Sequence, residues 1–197
     1  MRGNRDSLAC QGGEKQQIDS ALAAGDDRTL LALARSHTQR VLRYLSGRLY
    51  SSDEGEKWRA VRALGIVAGV AEETKVAELL RRYVWALNDE SGAVPYGIPE
   101  AIGEILATRP EFQPAFLPIL CSLLTEEEMA QTGQIERGAV WAVGRVGPAV
   151  AIRSPETVAV LDRMAQSHAD AATRRLAARS YAGIIGEAGV ETHESPD

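Results

Sequence analysis

The feature that most constrains this chain is a glycine-centred helical segment that returns about every forty residues. KWRAVRALGIVAG on Gly65, YGIPEAIGEILA on Gly103, RGAVWAVGRVGP on Gly144 and LAARSYAGIIGE on Gly183 align with one another. Five positions before the glycine stand Ala60, Ile98, Ala139 and Ala178. One before it stand Leu64, Ile102, Val143 and Ala182; two after it stand Val67, Ile105, Val146 and Ile185. Steps of four and three put these columns on one helical face, the face to be buried. A mid-helix glycine costs about 1 kcal/mol against alanine. Its recurrence needs a packing reason: without a Cβ, a neighbouring helix comes close.

Partner helices are expected between these segments, over Glu73 to Leu87, Glu111 to Leu124 and Pro155 to Ser167. Each has its own apolar stripe, such as Val76, Leu79, Leu80 and Val84. Pro114 falls at or just before a first turn, where a missing N–H matters little. Pro118 lies deeper and is expected to kink its helix. Upstream, Ile18, Ala21 and Leu22, then Leu30, Leu31 and Leu33, then Val41, Leu42 and Leu45 mark further helical faces. Gly25-Asp26-Asp27 interrupts them and offers a capping carboxylate, and Ser51-Ser52-Asp53-Glu54 offers another. Thr125-Glu126-Glu127-Glu128 reads as a short extra helix or capped turn. No segment reads as a strand. The expected organisation is one helical-repeat domain over residues 17–187, a disordered arm over 1–16 and a disordered tail over 188–197.

Arg59-Ala60-Val61-Arg62-Ala63-Leu64-Gly65 and Arg174-Arg175-Leu176-Ala177-Ala178 with Gly183 resemble the HEAT-like repeats of the phycobiliprotein (PBS) lyase type. The resemblance covers roughly residues 50 to 187. It implies an all-α fold, a HEAT-like α-α superhelix built as a short right-handed solenoid of helix pairs. Pro95 and Glu136 depart from it, standing where a basic residue is frequent, and the second unit has an enlarged loop. It also implies one functional alternative, a ligand-handling or bilin-lyase-like role on a small molecule.

A net charge of −5 and a pI near 5.3 argue against a general nucleic-acid binder, because phosphate contacts need a basic face. Cys10 and Cys121 stand far apart, one in the arm and one in an apolar helix, which argues against a disulfide framework. No apolar run approaches the roughly 20 residues that span a bilayer, and the first residues lack the apolar stretch of a secretory signal. The cytoplasm is the expected location, with no membrane partner.

The row seven before, three before and one after each glycine forms a ridge beside the buried face. It reads Trp58, Arg62 and Ile66; Tyr96, Glu100 and Glu104; Arg137, Trp141 and Arg145; then Leu176, Ser180 and Ile184. Side by side, these rows predict an acidic ridge between two basic ones, edged by Trp58, Tyr96 and Trp141. Trp85, Asn88, Asp89 and Glu90 lead into the enlarged loop of residues 88–99, which carries Gly92, Pro95, Gly97 and Pro99. Long irregular inserts in a solenoid usually sit at its binding face. Two readings compete. In one, Arg62 with Glu100 and Glu104 with Arg145 are ion pairs that set the stacking register. In the other, the ridge and loop form a groove for a protein partner.

Enzymatic readings are weaker. Asp89, Glu90, Glu100 and Glu104 have the residue types for a metal or for acid–base work, but Glu-x-x-x-Glu on a helix is too common to be specific. His37, His168 and His193 do not share a repeat position with them. Helical-repeat iron hydroxylases need paired His-Glu motifs, and this chain has only His193-Glu194. Cys121 reads as a core thiol. The expectation is a non-catalytic protein-interaction module with no metal and no cofactor.

Overall fold

A computed structural model describes the backbone of residues 3–87, 97–126 and 133–186, with side chains from residue 13 onward. Its elements are α1 (Gly3–Ala24), α2 (Asp27–Arg48), α3 (Glu54–Val70), α4 (Glu73–Leu87) and α5 (Ile98–Thr108). After a 3-10 turn at Pro110–Phe112 come α6 (Gln113–Thr125), α7 (Gln134–Val146), α8 (Ala149–Arg153), α9 (Pro155–Ser167) and α10 (Ala171–Ile185). The architecture is all-α, a helical-repeat superhelix, with no strand among the described residues. Three of the helices, α2, α3 and α10, start at carboxylate caps. Asp26 accepts from the backbone N–H of Arg28 and Thr29, Asp53 from Glu56, and Asp170 from Thr173.

The glycine-marked helices α3, α5, α7 and α10 lie side by side in chain order and run parallel. Gly65 and Gly69 of α3 face Glu104 and Thr108 of α5; Gly103 faces Ala142 of α7; Gly144 faces Ser180 of α10. Residues about forty apart are therefore neighbours, as a stacked repeat requires. The helices α4, α6 and α9 pack behind this row, and α2 flanks its first member.

The glycines act as the repetition implies. A Cβ on Gly103 would meet the Ala142 backbone at 2.6 Å, and one on Gly65 would meet the Glu104 side chain at 2.5 Å. The first three units bury the expected columns, Ala60, Leu64 and Val67; Ile98, Ile102 and Ile105; Ala139 and Val143, except that Val146 is only half-buried.

The fourth unit does not. Ala178, Ala182 and Ile185 are exposed, while Leu176, Ala177, Ser180 and Ile184 are buried. The register of α10 is thus shifted from the alignment on Gly183, and the row expected as its surface ridge is core. Ser180 explains the shift: its side chain lies over Gly144, and its hydroxyl donates to the Val140 carbonyl at 2.9 Å. Gly183 has no atom near enough to need its missing Cβ.

Other local expectations also moved. The helix α1 begins at Gly3, within the segment expected as a disordered arm. Ile18 and Ala21 are buried, and Glu14 pairs with Arg40 across to α2 at 3.5 Å, which ties this helix down. The turn at Gly25-Asp26 is as expected, with Gly25 at φ 64°. A further break falls at His37, inside α2, where φ −144° and ψ 46° leave the helical region. The partner helices α4 and α9 have the expected bounds, and Pro118 lies inside α6. Residues 188–197 lie outside the described residues.

Polar side chains also stitch neighbouring elements. Arg109 donates to the carbonyls of Ala68 and Ala71 at 2.7 and 3.1 Å, satisfying the open C-terminal end of α3. Gln113 does the same for Leu106 at 3.0 Å.

Candidate functional site

Because α3, α5 and α7 are parallel, their first turns lie together at one end of the row. Glu54, Lys57 and Trp58 come from α3, Glu100 from α5, and Arg137, Gly138 and Trp141 from α7; with Gln134 they line a cleft of about 210 Å³. Trp58 and Trp141 meet edge to face across it, with ring centroids 4.8 Å apart. Such pairs add about 1 kcal/mol beyond their burial. The two tryptophans sit one unit apart from α5, so their contact passes over the N-terminal turn of that shorter helix.

Glu100 is the centre of the site. Only 3% of it is exposed. Its Oε1 lies 3.6 Å from the Lys57 ammonium, which also sits 2.8 Å from Glu54 and 5.4 Å from the Trp58 ring. Its Oε2 has no hydrogen-bond partner and rests against Gly138, where a Cβ would approach to 2.5 Å. Burial pushes the carboxyl up to about 7, and the Lys57 charge only partly offsets that. Arg137 contributes a second unmet group. One guanidinium nitrogen bonds Asp170 at 3.1 Å, but the buried Nε–H has no partner.

The structure divides the predicted site residues. It brings Trp58, Glu100, Arg137 and Trp141 into one cleft. Glu104 and Arg145 form the expected ion pair, with Arg145 donating through Nε at 2.6 Å and a second nitrogen at 3.2 Å. Arg62 does not reach Glu100; it makes a two-pronged pair with Asp27 of α2 at 3.0 and 2.7 Å. The reason is position. Arg62 lies one helical turn beyond Trp58, closer to the start of the antiparallel α2, and Glu100 has sunk beneath the surface toward Lys57. The acidic ridge is therefore corrected to a buried carboxylate. Trp85 is on α4, 72% exposed, and does not line the cleft. Asn88, Asp89, Glu90 and Tyr96 lie outside the described residues.

Sequence reasoning missed Lys57. It stands one residue before Trp58, off the predicted row, and only its long side chain brings its charge to Glu100. The available signal was a lysine in the first turn of α3, where a helix dipole disfavours a cation. Among the described residues no three His, Cys, Asp or Glu side chains gather in a way that could hold a metal ion. His168 instead contacts Glu136 at 3.2 Å. Cys121 is buried, and its thiol is pushed up by that burial.

The two arginine pairs are expected to separate in a mutational test. Arg62 and Asp27 are 53% and 40% exposed, so Arg62→Ala should cost about 0.5 kcal/mol. Glu104 is only 13% exposed and packs over Gly65, so Arg145→Ala, which strands that carboxylate, should cost about 1.5 kcal/mol. Urea titrations of both variants check this; equal costs would mean that Arg145 is not a register pair.

No family model matches the chain, and no curated protein matches it. Solved structures do. One is an engineered protein from the Northeast Structural Genomics Consortium, 20% identical, with a TM-score of 0.54 over 88% of this chain and 72% of that one. A second engineered protein from the same consortium is 22% identical, with a TM-score of 0.52 over 83% of this chain and 41% of that one. At this identity the likeness concerns the fold alone.

Proposed function

We propose that this chain is a HEAT-like, non-catalytic interaction module whose protein partner docks over the first turns of α3, α5 and α7 and anchors one side chain in the cleft. The observation that supports this reading is a cleft that combines two tryptophan walls with a buried, incompletely bonded carboxylate. Aromatic anchors and desolvated polar groups dominate the energetics of protein interfaces. Size favours this over the ligand-handling alternative. Small-molecule sites usually enclose about 300 to 1,000 Å³; a cleft of about 210 Å³ suits one side chain and is too small for a tetrapyrrole.

The test is affinity capture with the wild-type chain and with Trp141→Ala, Glu100→Gln and Ile152→Ser, each checked for helicity by circular dichroism. Ile152 is exposed on α8, away from the cleft residues. Both cleft variants should lose the same prey while Ile152→Ser keeps it. Prey retained by folded Trp141→Ala and Glu100→Gln would reject the cleft as the docking point.

A further inference from the structure

A second cavity, sharing no lining residue with the cleft, opens between α1 and α2. Its volume is about 330 Å³, inside the range of about 300 to 1,000 Å³ usual for small-molecule sites. The charge around it runs against that of the chain. Residues 13–48 carry six lysines and arginines against four aspartates and glutamates, in a chain of net charge −5.

Lys15 of α1 and Arg40, Arg43 and Arg48 of α2 line the cavity, and Glu14 is the one carboxylate that does so among the described residues. The four cations are not equally available. Arg48 is fixed: its Nη2 donates to the two Asp19 oxygens at 2.8 and 2.9 Å, and its Nη1 pairs with Glu56. Tyr44 is fixed with it, donating to Asp19 at 2.7 Å, with the Arg48 guanidinium 4.9 Å from its ring. The Glu14 side chain is only 13% exposed and holds Arg40 loosely, at 3.5 Å, while that of Arg40 is 54% exposed. Lys15 and Arg43 are left over. Both are exposed. The Lys15 ammonium has only the Tyr44 ring, 5.9 Å from its centroid, and Arg43 has no side-chain partner among the described residues. The four cations thus outnumber Glu14, Asp19 and Glu56 by one, and the excess sits with the two exposed groups.

Gly47 adds a second observation. It stands inside α2, where alanine is favoured, yet a Cβ there would meet nothing within 4 Å, so no helix contact requires glycine. What its missing side chain leaves is room in the cavity that it lines.

Two unpaired cations, one of them a guanidinium fork, match an oxyanion of more than one charge. A carboxylate carries a single charge. A phosphate monoester carries close to two at neutral pH and offers three acceptor oxygens. We infer that the cavity between α1 and α2 binds the phosphate group of a small phosphate monoester, held by Arg43 and Lys15 with Arg40 turning toward it. This site is independent of the interaction reading above.

Calorimetric titration of glycerol 3-phosphate into the full chain tests it, with glycerol and lactate as uncharged and singly charged comparators. Glycerol 3-phosphate should saturate one site, bind at least about ten-fold tighter than lactate, and leave glycerol without a signal. Arg43→Gln should weaken it at least about ten-fold, the loss of one charged hydrogen bond. Gly47→Leu, which fills the cavity and leaves the charge unchanged, should weaken it as much. Arg81→Gln, which removes an exposed arginine of α4 outside the cavity, should change nothing. Circular dichroism checks that each variant is folded. Cosedimentation with phosphatidylcholine vesicles, with and without phosphatidic acid, separates the two sources of such a group. Pelleting that needs phosphatidic acid and is abolished by Gly47→Leu assigns a lipid headgroup; otherwise the source is a free ester.

Lactate binding as tightly as glycerol 3-phosphate overturns the inference. So does binding that folded Arg43→Gln or Gly47→Leu retains, or that Arg81→Gln weakens equally. The absence of saturable binding in both the free and the vesicle arm does the same.

Discussion

Between about pH 5 and pH 8.5 the wild-type chain is expected to lose roughly 3 kcal/mol of stability through Glu100, a loss that Glu100→Gln should remove. The sign follows from where the proton sits. Glu100 has an ordinary value of 4.5 in the unfolded chain and is pushed up to about 7 in the folded one, mainly by burial. Between those values the folded state holds a proton that the unfolded state has released. Stability therefore falls as pH rises through this window, is unaffected by this group below the unfolded value, and stays at its lower level above the folded one. Lys57 limits the loss without cancelling it, since it lies 3.6 Å away and shares its charge with Glu54. Glutamine mimics the neutral acid in size and polarity, so urea titrations of the variant should show nearly the same stability at both pH values.

The other shifted carboxyls do not interfere. Asp170 is held down to about 2 by hydrogen bonds from Thr173, and Asp26, Glu111 and Glu156 are also held below their ordinary values. Their contributions are complete above about pH 4.5 and are lost only as acid protonates them in the folded state. A wild-type curve flat from pH 5 to 8.5 would mean that water reaches Glu100 and that the cleft is not a dry site. That result would also weaken the case for an orphaned oxygen as its recognition element.

The glycine spacing was enough to read the row of parallel helices, because a missing Cβ and a period near forty residues have one economical packing solution. The Glu104–Arg145 pair was legible for the same reason: it follows once α7 lies beside α5. Three things were not. The burial of Glu100 depends on the distance between the first turns of neighbouring helices, which repeat arithmetic does not contain. The choice of Asp27 for Arg62 depends on the antiparallel α2, which lies outside the glycine-marked pattern. The register of α10 depends on Ser180 filling the space over Gly144. Leu176 and Ile184 read equally well as a ridge or as core, since a short apolar stripe fits the helical period in more than one phase.

The same glycine column should give opposite results at two of its members. Gly103→Ala is expected to destabilise the protein by about 2 kcal/mol, and Gly183→Ala to stabilise it by about 0.5 to 1 kcal/mol. Alanine is favoured over glycine inside any helix by about 1 kcal/mol, so both substitutions begin with a gain. At Gly103 the new methyl would lie 2.6 Å from the Ala142 Cα and 2.8 Å from its carbonyl oxygen. These are backbone atoms of α7, which cannot swing aside as the end of a side chain can. The two helices must separate, and the buried contacts of Ile102 and Val143 loosen with them. Overpacking of this kind costs about 1 to 3 kcal/mol and here outweighs the propensity gain. At Gly183 a Cβ meets nothing within 4 Å, and the residue lies on the exposed face of α10, so the gain stands alone. Thermal or urea unfolding measures both. Two stabilised variants would mean that α5 and α7 have room between them, and two destabilised ones would mean that the exposed face of α10 is covered.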